Sequence, residues 1–399
     1  MRVKVLQIIP AFHPATYWGG PVVCVLSLCN ILASLRNTHL EVLTTDASGA
    51  KRTDSASDPS RSVRYPAGYD VHFYHGLLRT DISPAMLLAL WGRVQKADLV
   101  HLSGVYSLPT MPALTACRLF RKPLVWSPHG SWQRWKGSTR VKTKRAWDVV
   151  CRAVAPSKLV LHATSREEAH ATRKQFPGRQ VVVIPNGVDI PKVVAHIDRC
   201  GPLRIVYLGR LHPKKGIENL MSACKKLNGI DWCLIVAGSG QADYVRQLKN
   251  KMIELGFVGH EGQPSPCLVY GCNGIKAGSR HITLIGEVEG IAKNMLFENA
   301  DVVVVPSFTE NFGMVVAEAL AHGVPVIAST KTPWQRVEEI GCGLWVNNDP
   351  ETLAKAIEQI SRMSLREMGR RGREWMQREF SWSDRAKEMR ALYQSLVSC

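Results

Sequence analysis

The sequence is short of acid. Its 399 residues hold 33 aspartates and glutamates against 51 lysines and arginines, a formal excess of +18. Such a surface attracts anions: nucleic acid, phosphorylated ligands or acidic lipid. Long apolar runs are missing too. The start, "MRVKVLQIIPAF", breaks at Pro10 and has no small-residue cleavage site, so it reads as a first strand and the chain as an unexported cytosolic protein. No tract is biased enough to predict disorder. The eleven cysteines are odd in number and follow no framework, which fits reduced thiols better than disulfides. Cys267 and Cys272 lie in a Gly/Pro-rich stretch without a second ligand pair, and no metal site is expected there. The dinucleotide glycine spacing is also absent. The first strand runs into "PAFHPATYWGGP", and "VAGSG" is followed by Asp243 where a third glycine would stand, which disfavours a nicotinamide enzyme. No recognisable nucleic-acid module occurs, so nucleic acid is not an expected partner.

What the chain does have is alternation. Apolar runs at 3–9, 40–45, 99–103, 123–127, 159–164 and 181–185 read as strands buried on both faces, with helix-length segments such as 21–36 and 108–119 between them. The pattern breaks at "KVVAHIDRCGP" and resumes at 203–209, 233–238, 282–286, 301–307 and 325–330. The length is too great for one ordinary core. Two α/β domains are therefore expected, at 1–195 and 202–380, each Rossmann-like and doubly wound, with an inserted loop at 256–280. Ala386, Met389, Leu392 and Leu396 form a stripe that predicts a terminal helix over about 383–399.

In such sheets ligands sit beyond the carboxyl ends of the strands. Glu310 of "PSFTENFGMVVAEAL" stands there, before a helix expected to start near Asn311 or Phe312 and to stop at Gly323. The amides of Asn311, Phe312, Gly313 and Met314 would then be free donors of its first turn. Glu318 lies eight residues on, about 80° off a shared face, so the two acids suit separate parts of one long ligand. The plain alternative for Glu310 is a residue complementing the helix dipole; Glu318, between alanines, needs donors if buried. Arg210 ends the strand of "YLGRLHPKKG" and Lys215 precedes Gly216, a cation pair able to neutralise a diphosphate, although exposed cations at helix starts are common. Gly238 and Gly240 form a strand-end pair. Residues 121–150 carry eight basic residues against one acid, Asp148, with Trp132, Trp135 and Trp147 interleaved. That mixture suits an anionic lipid surface, or else a solvated helix whose tryptophans belong to the core.

Taken together, "GGP", "SPHG", "PNGVD", "GRLHPKKG" and "ENFGMVVAEALAHGVPVI" with its Glu-x7-Glu pair resemble the retaining nucleotide-sugar glycosyltransferases of family 4 over nearly the whole chain. The resemblance implies a GT-B fold, two Rossmann-like domains facing each other across a cleft, with the terminal helix returning to the first. It implies a nucleoside diphosphate sugar as co-substrate and no cofactor or metal. By this likeness Arg210 and Lys215 hold the diphosphate, Glu310 the sugar hydroxyls and Glu318 the ribose. Asn311, Phe312, Gly313 and Met314 line sugar and phosphate, Val288 the base, Gly19 and Gly20 the phosphates, and His129 the donor site. Many relatives have glycine where Asn311 stands. The expected activity is hexosyl transfer, GDP- or UDP-linked, to a saccharide or lipid-linked hydroxyl in bacterial cell-surface polysaccharide or lipopolysaccharide assembly, by a protein peripheral on the inner face of the cytoplasmic membrane. The rivals are a glycoside hydrolase using Glu310 and Glu318 as acid and base, a sugar-nucleotide epimerase, and a non-catalytic lipid- or nucleic-acid-binding protein.

Overall fold

The structure, a computed structural model, describes residues 2–15, 19–47, 62–77, 81–135, 137, 139–192, 201–257, 260–261 and 280–398. These divide into two compact units, Met1–Gly187 with Trp382–Cys399, and Val188–Ser381.

The first unit is built on strands β1 (Val3–Ala11), β2 (Thr38–Thr45), β3 (Ser62–Arg64), β4 (Asp70–Tyr74), β5 (Leu99–Ser103), β6 (Leu124–Ser127), β7 (Leu159–Ala163) and β8 (Gln180–Val183). Their order is β3-β4-β2-β1-β5-β6-β7-β8, parallel throughout except that β3 runs antiparallel to β4. β5 and β7 are buried at every position, because helices cover both faces of the middle of the sheet. Ser83 and Ser165 start their helices by accepting the amides of Met86 and Glu168. The last helix, Trp382–Val397, belongs to this unit, burying Trp382, Ala386, Met389 and Tyr393 and packing on the helix Gly20–Ser34. Trp132 packs on Trp126 and Phe176 and donates to Asp148 at 3.1 Å; Trp147 donates to the carbonyl of Val105 at 2.9 Å. Both indoles thus serve the fold, in line with the second of the two readings of residues 121–150, and Trp135 is half-buried.

The second unit carries β9 (Leu203–Leu208), β10 (Trp232–Ala237), β11 (His260–Glu261), β12 (Arg280–Gly286), β13 (Val302–Val305), β14 (Val326–Ser329) and β15 (Gly343–Val346), all parallel, in the order β11-β12-β10-β9-β13-β14-β15. It begins at Val188, ahead of the stretch in which the sequence places the boundary. The reason is that the Val188 amide bonds the carbonyl of Phe380 at 2.8 Å and its side chain joins the core around Trp375 and Phe380. Of the expected loop at 256–280, residues 258–259 and 262–279 lie outside the described residues, Cys267 and Cys272 among them. Among the described residues no helix is long and apolar enough to cross a membrane.

Candidate active site

In each sheet the chain winds outward in both directions from a pair of central strands, and the connections that leave this pair part to opposite sides. In the second unit the pair is β9 and β13. Ligands of doubly wound sheets bind at such a switch point. Arg210 leaves the end of β9 with its side chain exposed, its carbonyl held by the Tyr207 hydroxyl at 3.0 Å. A 3-10 turn, Pro213–Lys215, comes next, capped by His212 Nδ1, which accepts the Lys214 amide at 3.1 Å. Gly216 then turns at φ 66, where any Cβ would collide with the carbonyl of Pro306 at the end of β13. This close approach brings Lys215 onto Glu310. The ammonium bonds Glu310 Oε1, which also accepts the Ser307 hydroxyl at 2.7 Å, while the Glu310 amide bonds the carbonyl of Lys331 at 3.2 Å. Burial pushes the Glu310 carboxyl up, but Lys215, Lys214 and Ser307 outweigh it and hold the group below the usual glutamate range. The Lys214 ammonium is brought down to about 8 by burial and by Lys215 beside it. The result is an ionised carboxylate and a cluster of cations at one strand end.

The helix after Glu310 runs Met314–Ala321, two to three residues later than expected. Gly313, at φ 79, is its N-cap, and the Phe312 carbonyl is occupied by the indole N–H of Trp334. Asn311 and Phe312 therefore precede the helix in a turn; Phe312 is buried in the core, and Met314 opens the first turn. Glu318, farther along, pairs with Lys293 of the helix Gly290–Glu298 at 2.7 Å. Each acid thus has its own lysine. Val288, buried at the foot of the loop after β12, packs in the same core. Gly238 and Gly240 come so soon after β10 that a Cβ on either would strike the backbone of Gly209 or Leu211. Lys214 and Lys293 do not stand out in the sequence, since a lysine gives no signal without its partner.

In the first unit, Gly19 caps the first helix at φ 78, and a Cβ on Gly19 or Gly20 would meet nothing described within 4 Å. His129 comes after β6 in a left-handed conformation, φ 49, and its Nε2 is buried without a hydrogen-bond partner among the described residues. Burial and the neighbouring His162 bring its imidazole down to about 3, so it is neutral at pH 7. The turn is held by Glu168, a buried carboxylate missed in the sequence although Ser165-x-x-Glu168 is a capping-box pattern. It accepts the amides of Gly130 at 2.6 Å and Thr164 at 2.7 Å. Behind it runs a buried chain of groups: Tyr393, His101, Ser127, His162 and the Ile184 carbonyl, linked at 2.6, 2.7, 2.7 and 2.8 Å. The carbonyl can only accept, which fixes every proton. His162 Nε2 donates to Ile184, Ser127 donates to His162 Nδ1, His101 Nε2 donates to Ser127, and Tyr393 donates to His101 Nδ1.

Residues 18–192 match the family described as Glycosyltransferase Family 4, and residues 202–362 match Glycosyl transferases group 1. The chain belongs to the family 4 glycosyltransferases. This glycosyltransferase is 26% identical to the GDP-mannose:cellobiosyl-diphosphopolyprenol alpha-mannosyltransferase of Xanthomonas campestris, over 91% of this chain and 88% of the relative. It is 25% identical to the phosphatidyl-myo-inositol mannosyltransferase of Mycobacterium leprae, over 95% and 94%. Its fold is the GT-B fold of sucrose-phosphate synthase from Thermosynechococcus elongatus, with a TM-score of 0.74, 21% identity and full coverage of both chains. Anabaena HepE, solved with UDP and glucose, gives a TM-score of 0.70 at 17% identity, over 99% of this chain and 100% of that one.

Proposed function

We propose that the glycosyltransferase moves a hexosyl unit from a GDP- or UDP-linked sugar to a hydroxyl of a saccharide or lipid-linked acceptor, with retention at the anomeric carbon and without a metal ion. The observation that carries this reading is the meeting of Lys215 with Glu310 beside Arg210 at the switch point of the second unit. A diphosphate leaving group gathers charge as its bond to the sugar breaks, and preformed cations act most strongly at that moment. In this reading the anomeric carbon loses its bond to the phosphate oxygen and gains one to the acceptor oxygen on the same face, and the departing phosphate takes the acceptor's proton. No side chain need act as covalent nucleophile.

Arg210 and Lys215 neutralise the diphosphate. Glu310, kept ionised by its lysines, accepts hydrogen bonds from sugar hydroxyls, and Glu318 accepts from the ribose. The Nε2 of the neutral His129, without a partner among the described residues, suits one further hydroxyl contact. Two relatives are named as mannosyltransferases, one for GDP-mannose and a diphosphopolyprenol-linked acceptor, which makes GDP-mannose the first donor to try. The same acceptor chemistry motivates a peripheral site of action at the inner face of the cytoplasmic membrane, within surface polysaccharide assembly.

The test is thermal protection by a panel of GDP-, UDP- and dTDP-sugars, followed by a transfer assay read by the anomeric coupling of the product, with and without EDTA. Inversion, or loss of turnover in EDTA, removes the corresponding part of the proposal. Release of sugar from a glycoside without any nucleotide would replace it with the hydrolase reading.

A further inference from the structure

A second cationic feature lies at the opposite end of the first unit's sheet. A cavity of about 470 Å³ is lined by Arg118, Arg121, Lys122, Arg152, Lys158 and Arg179, together with Cys117, Ala155, Pro156 and Ser157 and, among the described residues, without any acid. Lys122, Lys158 and Arg179 stand just before β6, β7 and β8, so the cavity sits at the amino ends of these strands, away from the loops that carry Gly19 and His129. Part of the cluster has an ordinary structural use. Arg118 bonds the carbonyl of Ala153, Arg152 that of Gln175 at 3.0 Å and Arg179 that of Ser157 at 2.9 Å, and cations suit the carbonyl ends of helices.

That use leaves three side chains unexplained. Among the described residues Arg121, Lys122 and Lys158 make no such bond, and none of the six cations is paired with a carboxylate. Arg121 also occupies a left-handed position, φ 53, where the chain turns after the helix Thr110–Leu119 and the Lys122 amide closes back on the Cys117 carbonyl at 2.8 Å. Glycine or asparagine is the usual residue at such a turn, and an arginine there is held at the expense of backbone strain. Six like charges around one space repel each other unless an anion is shared between them. Guanidinium groups pair with phosphate oxygens two at a time, and the volume accommodates a phosphorylated headgroup.

We propose that this cavity is a phosphate-binding site separate from the donor site, and that the phosphate is that of an anionic phospholipid. Lipid is favoured over a free phosphate by the residues around the cavity. Leu119, 65% exposed, lies between the lining residues Arg118 and Arg121; Val149, 54% exposed, lies one turn before Arg152, with exposed Val150 beside it. Exposed apolar side chains bordering a cationic pocket match the boundary between headgroups and acyl chains.

The experiment compares the full-length protein with two double variants carrying the same change in charge: Lys122→Glu with Lys158→Glu in the cavity, and Lys142→Glu with Arg145→Glu on the exposed face of the helix Val141–Val154. Binding is measured by co-sedimentation with vesicles of phosphatidylcholine alone or with phosphatidylglycerol, and melting temperatures verify folding. The expected result is wild-type binding only to phosphatidylglycerol vesicles, weakened at least tenfold in the cavity variant and no more than about threefold in the helix variant. Equal loss in both variants would mean a diffuse charged face and would overturn the site. Wild-type affinity for inorganic phosphate or pyrophosphate without vesicle binding would overturn the lipid as its source. Thermal protection by sugar nucleotides reads the donor site separately, so the two proposals fail independently.

Discussion

At the carboxyl edge of the second sheet, ionised side chains meet in pairs, Lys215 with Glu310 and Lys293 with Glu318, and an exposed Arg210 stands beside them. At the same edge of the first sheet, His101, Ser127 and His162 form a chain of neutral groups, and His129 waits neutral in front of it. Both edges come from one topology. The difference lies in the residues at the strand ends: short loops closing over glycines bring lysine to glutamate in one unit, whereas buried strand positions hold imidazoles away from water in the other. A common architecture therefore fixes where a site is found and leaves its charge to a few side chains.

The comparison breaks most visibly if the ion pairs are idle. Lys215→Ala is expected to lower kcat by about a hundredfold or more, the effect of removing one stabilising group from a developing anion; an unchanged kcat under saturating donor would sink the assignment. Glu318→Ala is expected to raise the donor KM about tenfold with a smaller change in kcat, since it removes hydrogen bonds made equally before and during reaction. Kinetics with varied donor separate the two outcomes.

The two edges should also respond to acid in sequence. His162 is held neutral, at about 4, mainly by burial, so the folded state binds its proton less readily than the unfolded chain. Its contribution is complete above the usual histidine pKa of about 6.5 and is lost as pH falls towards 4. His101, lowered further by burial and by His162 and His129, acts in the same direction. Glu310, whose carboxyl lies below the usual range, keeps its contribution until pH falls below about 4.5. Burial also lowers His322 and His212 in the second unit, whereas the first holds His129 and His162, brought down to about 3 and about 4. Hydrogen exchange at pH 7, 5.5 and 4.5 should therefore show the larger early loss of protection in the first unit, with a drop in melting temperature of a few degrees by pH 5. Equal loss in both units would contradict the contrast.

The smallest effect expected is that of Tyr393→Phe. It removes one buried hydrogen bond from His101 and should destabilise the first unit by about 1 kcal/mol, with donor KM unchanged, in urea unfolding followed by kinetics.

Most of this framework is legible in the sequence because central parallel strands are covered on both faces. The runs at 99–103 and 159–164 coincide with β5 and β7 to within a residue. β4 and β15 escape that reading. β4 alternates buried with half-buried positions, and β15, the outermost strand, offers only the three apolar residues Leu344, Trp345 and Val346, a run too short to stand out. At the site, glutamates and cations at strand ends stand out as types in a pattern, and the family resemblance names them. Their partners do not stand out, because Lys293 meets Glu318, and His101 meets Ser127 and Tyr393, only after distant segments are brought together. The late start of the helix at Met314 has a local cause: the sequence shows a glycine at 313, and only its positive φ makes that glycine the cap.

Gly216, Gly238 and Gly240 bear on how substitution data for this protein should be read. Each sits where the backbone just past another strand already fills the space of a side chain. Random mutagenesis will find all three intolerant of replacement, and their nearness to the proposed diphosphate position will invite a catalytic explanation. Intolerance there reports the spacing between neighbouring loops. Only a soluble variant with weakened donor binding, as expected for Glu318→Ala, separates chemistry from architecture at this edge.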